Sequence, residues 1–250
     1  MCDSCGCTIP SGERKFAYKP ANQLGTAAVS VLTDLLAGND EQATHNRRYF
    51  NARRLLAVNL MSSPGSGKTA LLEATIDALR NECRVGVIVG DLETENDARR
   101  IRARGAPACQ ITTGTACHLD AHLVRDALRQ LPLDGLDILF IENVGNLVCP
   151  ASFDLGQHCN VVLLSVTEGD DKPAKYPVMF RAADAVLLTK SDLLPVLDDF
   201  LPVRAESNLR KLASRAPVMQ VSARRNLGLQ AWVDWLRGEL ARQREHAGSP

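Results

Sequence analysis

The sequence predicts an α/β fold, a mostly parallel sheet flanked by helices, and three observations carry that reading. Short apolar runs alternate with stretches that repeat at helical spacing. The first of those runs leads straight into a glycine-rich loop and then a helix. A chain of 250 residues with 45% hydrophobic side chains is long enough to bury one such domain and carry an appendage.

Taken in order, residues 1–23 hold a cysteine cluster and then a polar, turn-prone stretch around Pro10, Ser11, Gly12 and Pro20 that offers no core face. Residues 24–54 read as a helical extension. Leu24, Ala28, Val31, Leu32, Leu35 and Leu36 recur at helical spacing, Gly38-Asn39-Asp40 is expected to close that helix, and a second, basic helix is expected from Glu41 to Arg54. The domain proper spans 55–242. Its strands are expected at Leu55–Met61, Val85–Val89, Ile138–Ile141, Val161–Val166, Ala185–Leu188 and Val218–Val221, each a continuous apolar run, as strands covered on both faces must be. The last helix carries an apolar stripe of Leu229, Trp232, Val233, Leu236 and Leu240, so Trp232 and Trp235 are read as packing without a binding role. Residues 243–250 form a tail.

Composition excludes several function classes. The 29 basic and 29 acidic side chains balance, which argues against a nucleic acid or an anionic membrane as partner. No window approaches the roughly 20 continuous apolar residues of a membrane span. The opening Met1-Cys2-Asp3-Ser4-Cys5-Gly6-Cys7 has neither a basic stretch with an apolar core nor a cleavage signal, so the expected location is cytoplasmic. Eight cysteines are then expected as thiols, and clusters of them as metal ligands.

Ser62-Ser63-Pro64-Gly65-Ser66-Gly67-Lys68-Thr69 is a phosphate-binding loop in its strand–loop–helix context. Backbone N–H groups of Pro64–Thr69 other than proline's cradle the phosphates, Lys68 reaches the β- and γ-phosphates, and Thr69 offers a hydroxyl to Mg²⁺. Ser62 stands where the first glycine usually sits. Downstream, Thr189-Lys190-Ser191-Asp192 follows a buried strand and resembles the Asn-Lys-x-Asp element of GTPases. The Asp192 carboxylate can accept from guanine N1–H and N2–H₂, a donor pair adenine lacks, and Lys190 lies along the purine plane. Thr189 in place of Asn is expected to loosen the tie between loops and lower affinity. Ser222-Ala223 reads as the last base-contacting loop.

Two further loops supply chemistry. Asp91, at the end of the second run, is expected either in the Mg²⁺ shell and orienting water, or as the cap of a helix at Asn96–Arg104. Glu142-Asn143-Val144-Gly145 stands where a GTPase has Asp-x-x-Gly, making Glu142 the carboxylate in the outer shell of the Mg²⁺ and the Gly145 N–H a sensor of the γ-phosphate. No glutamine stands ready to orient water, so intrinsic hydrolysis is expected to be slow.

Cys2, Cys5 and Cys7 put three soft ligands within six residues, suited with one nitrogen to square-planar Ni²⁺ or tetrahedral Zn²⁺. A second set is internal. Cys117 and His118 are expected to open a helix, with His122 four residues on along the same face, and Cys149 follows the Gly145 loop. Cys83, Cys109, Cys159, His45, His158 and His246 are read as structural.

Together the N-terminal Cys-x-x-Cys-Gly-Cys, the phosphate loop, Gly-Asp-Leu-Glu-Thr-Glu-Asn-Asp, Cys-His-Leu-Asp-Ala, Glu-Asn-Val-Gly-Asn-Leu-Val-Cys-Pro and Glu-Gly-Asp-Asp-Lys-Pro-Ala-Lys-Tyr-Pro resemble the HypB family of nickel-incorporation GTPases from Met1 to about Leu236. The resemblance implies a SIMIBI-class P-loop GTPase that binds GTP, Mg²⁺, Ni²⁺ and Zn²⁺. It implies a homodimer favoured by GTP, a HypA-type accessory protein, and delivery of nickel to the [NiFe]-hydrogenase large-subunit precursor. The histidine-rich tract some members use for nickel storage is missing. A regulatory GTP-binding module with structural metal, or a urease- or cobalamin-type chaperone, remains the alternative.

Overall fold

The computed structural model describes residues 26–91, 95–114 and 116–247. Cys2, Cys5 and Cys7 lie outside the described residues. The chain divides into two compact units, Met1–Leu36 and Ala37–Pro250. In the first, described residues 26–36 are helical.

The second unit is built on seven parallel strands, β1 (Leu56–Ser62), β2 (Val85–Asp91), β3 (Ala108–Thr112), β4 (Ile138–Glu142), β5 (Cys159–Ser165), β6 (Ala185–Thr189) and β7 (Val218–Val221), in the order β3-β2-β4-β1-β5-β6-β7. Six of them match the apolar runs. The seventh, β3, was not expected, because it is an edge strand whose Gln110 and Thr112 break the apolar pattern. Between the strands run α2 (Lys68–Leu79), α3 (Asn96–Ala103), α4 (Ala121–Leu128), α5 (Lys172–Lys175), α6 (Pro177–Arg181) and α7 (Pro202–Lys211), and α8 (Leu229–His246) closes the fold.

Both sheet faces are buried. On one, Leu71, Leu72 and Ile76 of α2, Ala98 and Ile101 of α3, and Trp232, Val233 and Leu236 of α8 pack over Val58, Val87 and Phe140. Trp232 is fully buried and donates its indole N–H to Thr75 Oγ1 at 2.9 Å, which settles it as packing. On the other face, Phe50, Leu119, Val124 and Leu128 cover Leu55, Ala57, Ile88 and Leu139. The Met61, Val162 and Leu164 end is covered by Met179, Phe180, Ala205 and Leu209. Cys109 and Cys159 are buried, and burial pushes their thiols up. His158 accepts from the Ala57 N–H at 2.9 Å, and burial holds its imidazole down at about 4, so it stays neutral.

Two expected helices are one. α1 runs unbroken over Thr26–Ala52, through Gly38-Asn39-Asp40. Asn39 does not end the helix because its side chain is engaged elsewhere, donating to Asp154 O at 2.9 Å and accepting from Ala121 N at 2.9 Å. A Cβ at Gly38 would meet nothing within 4 Å, so the glycine there costs only helix propensity.

Candidate nucleotide and metal site

All the site loops emerge at the carboxyl edge of the sheet, where ligands bind in open α/β folds. β1 ends at Ser62 and α2 begins at Lys68. The turn between them needs left-handed backbone at Gly65 (φ 72°) and Gly67 (φ 99°), which glycine adopts at no steric cost. The departure at Ser62 has a role in the structure. Its buried hydroxyl accepts from Lys68 Nζ at 2.9 Å and from the Ser66 hydroxyl at 2.5 Å. The ammonium is thereby held under the loop. Burial lowers the Lys68 pKa, while the carboxylates of Glu142, Asp97, Glu168 and Asp91 oppose that shift.

Beside it, Thr69 Oγ1 donates to Glu142 Oε1 at 2.9 Å. Burial raises the Glu142 carboxyl to about 7 against the pull of Lys68 and Thr69, and its second oxygen, Oε2, is buried without a partner among the described residues. A buried carboxylate oxygen next to a threonine hydroxyl is the donor set an oxygen-seeking divalent cation satisfies, so these residues fit Mg²⁺. Asp91 ends β2 and lines the same cleft with Pro64, Gly65, Gly67, Lys68, Thr69 and Gly145. The N-cap of α3 is Glu95, whose side chain makes no cap hydrogen bond. Asp97 and Arg100 also line the cleft and were missed; an acid in the first turn after a strand end was the available signal. Gly145 packs on the phosphate loop so closely that a Cβ there would lie 2.8 Å from Pro64 Cα.

A second cleft of about 250 Å³ is lined by Ser66, Gly67, Thr189, Lys190, Asp192, Ser222 and Ala223, with Arg224 as an unanticipated wall. The expected loosening at Thr189 does not occur. Thr189 Oγ1 donates to Ser66 O at 2.6 Å, so the shorter side chain makes the tie between base loop and phosphate loop. Lys190 has φ 57°, an uncommon conformation for a residue with a Cβ and typical of functional positions. Asp192→Asn should weaken GTP by about 1–3 kcal/mol, because two guanine donors lose their charged acceptor, and should improve xanthine nucleotide binding. A fluorescence titration giving unchanged GTP affinity would refute the assignment.

The residues expected to ligate metal are brought together in part. Ligand atoms of Cys117, His118 and Cys149 all lie within 4.8 Å of one another. The two thiols are 3.0 Å apart, and the Cys117 hydrogen bond pushes the Cys149 thiol up. The His118 ring stacks on Phe153 at 3.9 Å, and burial holds it below its ordinary pKa, which keeps the imidazole neutral for ligation. His122 does not join. The helix begins at Ala121, after the cap Asp120, whose side chain accepts from Leu123 N at 2.8 Å. His118 therefore precedes the helix, the shared face does not exist, and His122 is exposed.

Two asparagines that sequence reasoning passed over tie the segment around Cys117 and His118 to the loop that carries Gly145. Asn143 Oδ1 accepts from Leu119 N at 3.1 Å and Val144 N at 3.0 Å, and its amide donates to Asn59 at 3.2 Å. Asn146 donates to Cys117 O at 3.3 Å and accepts from Val148 N at 2.8 Å.

Residues 56–220 match the CobW/HypB/UreG nucleotide-binding domain family. The hydrogenase maturation factor HypB of Rhizobium leguminosarum bv. viciae is 51% identical over 215 residues, 86% of this chain and 72% of that one. The crystal structure of HypB from Helicobacter pylori in complex with nickel aligns at TM-score 0.77 and 41% identity, covering 85% of this chain and 98% of that one. The signal recognition particle 54 kDa protein from Aeropyrum pernix K1, in complex with GDP, aligns at TM-score 0.50 and 13% identity over 77% of this chain and 49% of that one, and shares the fold alone. With a phosphate loop in its strand–loop–helix setting and half-identical relatives matched along most of their length, this chain belongs to the HypB family of P-loop GTPases.

Proposed function

We propose that the chain is a GTP-hydrolysing nickel chaperone that delivers Ni²⁺ to the precursor of the [NiFe]-hydrogenase large subunit. The observation that carries this reading is the thiol–imidazole cluster of Cys117, His118 and Cys149, whose last member lies four residues beyond Gly145. Soft sulfur and nitrogen donors suit Ni²⁺ and Zn²⁺. A structural metal is closed by four protein ligands, whereas three converge among the described residues. The open position suits cargo, to be completed by water or by a second copy of the chain.

In the same reading, Lys68 binds the β- and γ-phosphates, Asp91 orients the attacking water, and Asp192 with Lys190 reads guanine. Thr69 and Glu142 hold Mg²⁺, which neutralises the developing phosphate charge when bound. Hydrolysis is slow, since no glutamine serves the water. Cys2, Cys5 and Cys7 hold a second nickel, supplied through a HypA-type accessory protein, and the protein works in the cytoplasm. Exposed Val178, Val196, Leu201 and Val203 offer an apolar surface for a homodimer favoured by GTP. Among the described residues no helix is long and apolar enough to cross a membrane.

A strain lacking its own nickel-inserting maturation GTPase provides the test. The chain should restore nickel to the hydrogenase large subunit, measured by metal analysis of the purified subunit, and Cys117→Ala should restore less than about a tenth, as one lost thiolate removes a third of the cluster. Full restoration by that variant would sink the proposal.

A further inference from the structure

The cleft lined by Lys190 and Asp192 covers only one face of a purine with the residues assigned so far. Lys190 lies along the base plane, and Asp192 takes the edge that carries the donors. The other lining side chains are small or aliphatic, Ala70, Leu71, Leu193 and Val221 among them, with one exception in Arg224. Among the described residues no aromatic ring lines this cleft. Bases are held through their flat faces, which stack on planar partners. A guanidinium is planar, delocalised and more weakly hydrated than an ammonium, so it can serve as such a partner where rings are absent.

We propose that Arg224 closes the guanine site by laying its guanidinium on the face of the base opposite Lys190. It thereby sets affinity for the base and not for the phosphates. The inference rests on reading the cleft as a GTP site.

The backbone presents Arg224 on a fastened turn. Ser222 and Leu227 exchange both backbone hydrogen bonds, at 2.9 Å and 3.1 Å, and the buried Ser222 hydroxyl accepts from Arg225 N at 3.2 Å. Just past the turn, Gly228 packs on β7 so tightly that a Cβ there would lie 1.9 Å from Gln220 O. The base of the turn is therefore fixed, and ordering the one exposed side chain is the main cost of bringing Arg224 onto a ligand. Arg224 also borders a second recess, whose acids Glu73 and Asp77 could capture it. Both are already taken, Glu73 by Arg100 at 2.7 Å and Asp77 by Arg104 at 2.9 Å. The guanidinium of Arg224 makes no ion pair among the described residues, in contrast to these neighbours.

The test measures how a non-hydrolysable GTP analogue, GDP and guanosine compete with radiolabelled GDP for the full chain in the presence of Mg²⁺. Arg224→Ala should weaken all three by the same factor, about fivefold, the scale of one cation–π contact at a partly exposed site. Guanosine is the deciding ligand, because it has the base and no phosphate. Arg224→Lys keeps the charge but lacks the plane, and should remain at least about threefold weaker than the parent. Losses confined to GDP and the analogue, with guanosine unmoved, would overturn the proposal and put Arg224 at the phosphates. Parent-like affinity in Arg224→Lys would overturn it too, since charge alone would then suffice, and so would unchanged affinities in Arg224→Ala. Parent protein that binds none of the three would instead remove the GTP reading beneath it.

Discussion

Replacing Lys68 with alanine should abolish GTP hydrolysis. The nucleotide cleft is lined with acids, and Asp91, Asp97, Glu142 and Glu168 all act on the single ammonium of Lys68. Among the described residues lining that cleft, the one other cationic side chain is Arg100. Arg100 lines the same cleft but cannot stand in, because its guanidinium is committed to Glu73 at 2.7 Å and Asp97 at 3.1 Å. Loss of one charge-stabilising donor at a transition state costs about 10²–10³ in turnover, and this cation has no substitute, so the loss should reach at least that range. The variant should still fold, because Glu142, whose carboxyl burial already raises to about 7, can take up a proton once the neighbouring ammonium is gone. Phosphate release by stopped-flow assay measures the effect. Turnover within tenfold of the parent would mean that the loop is misassigned.

The second large effect is the loss of nucleotide control over the metal in Cys149→Ala. In the parent, metal affinity at Cys117, His118 and Cys149 should differ between the GDP form and a GTP-analogue form by about 5–150-fold, the usual range for coupled sites. The physical connection is short. Gly145 rests on Pro64 of the phosphate loop, Asn146 holds the Cys117 carbonyl, and Asn143 holds Leu119 N on the other side of His118. Cys149 is the ligand supplied from the switch side, and without it both remaining ligands belong to one loop. Nucleotide affinity should stay near that of the parent, since Cys149 lines neither nucleotide cleft. Chelator competition in both nucleotide forms gives the two affinities. Equal affinities in the parent would make the metal a structural one.

What the sequence discloses follows the range of the interactions involved. Six strands and the phosphate loop are legible because each is a local pattern, an apolar run or a fixed spacing of glycines. Edge strand β3 is not, since Ala108–Thr112 is half polar and its place comes from pairing with Val87–Asp91. α1 reads as two helices because Gly38-Asn39-Asp40 has stop-signal composition. Only the distant partners Ala121 and Asp154 reveal that Asn39 serves the tertiary structure. The same reason hides Asn59 and Asn143, buried polar residues whose partners are 84 positions apart in the chain.

The unbroken α1 also limits how far Cys117, His118 and Cys149 can travel. Asn46 donates to Ala121 O at 2.9 Å and to Leu155 O at 3.0 Å, and Asn39 grips Ala121 N and Asp154 O. One helix therefore clamps the chain three residues past His118 and again five residues past Cys149. Between these clamps and the phosphate loop only short arcs of backbone can bend, which makes the device a stiff caliper and not a hinged jaw. A stiff caliper works over small openings. Metal–thiolate distances tolerate only about ±0.2 Å, so a jaw displacement of a few tenths of an ångström is enough to change its grip, and the two ligand-bearing loops need never come apart for the ion to be passed on.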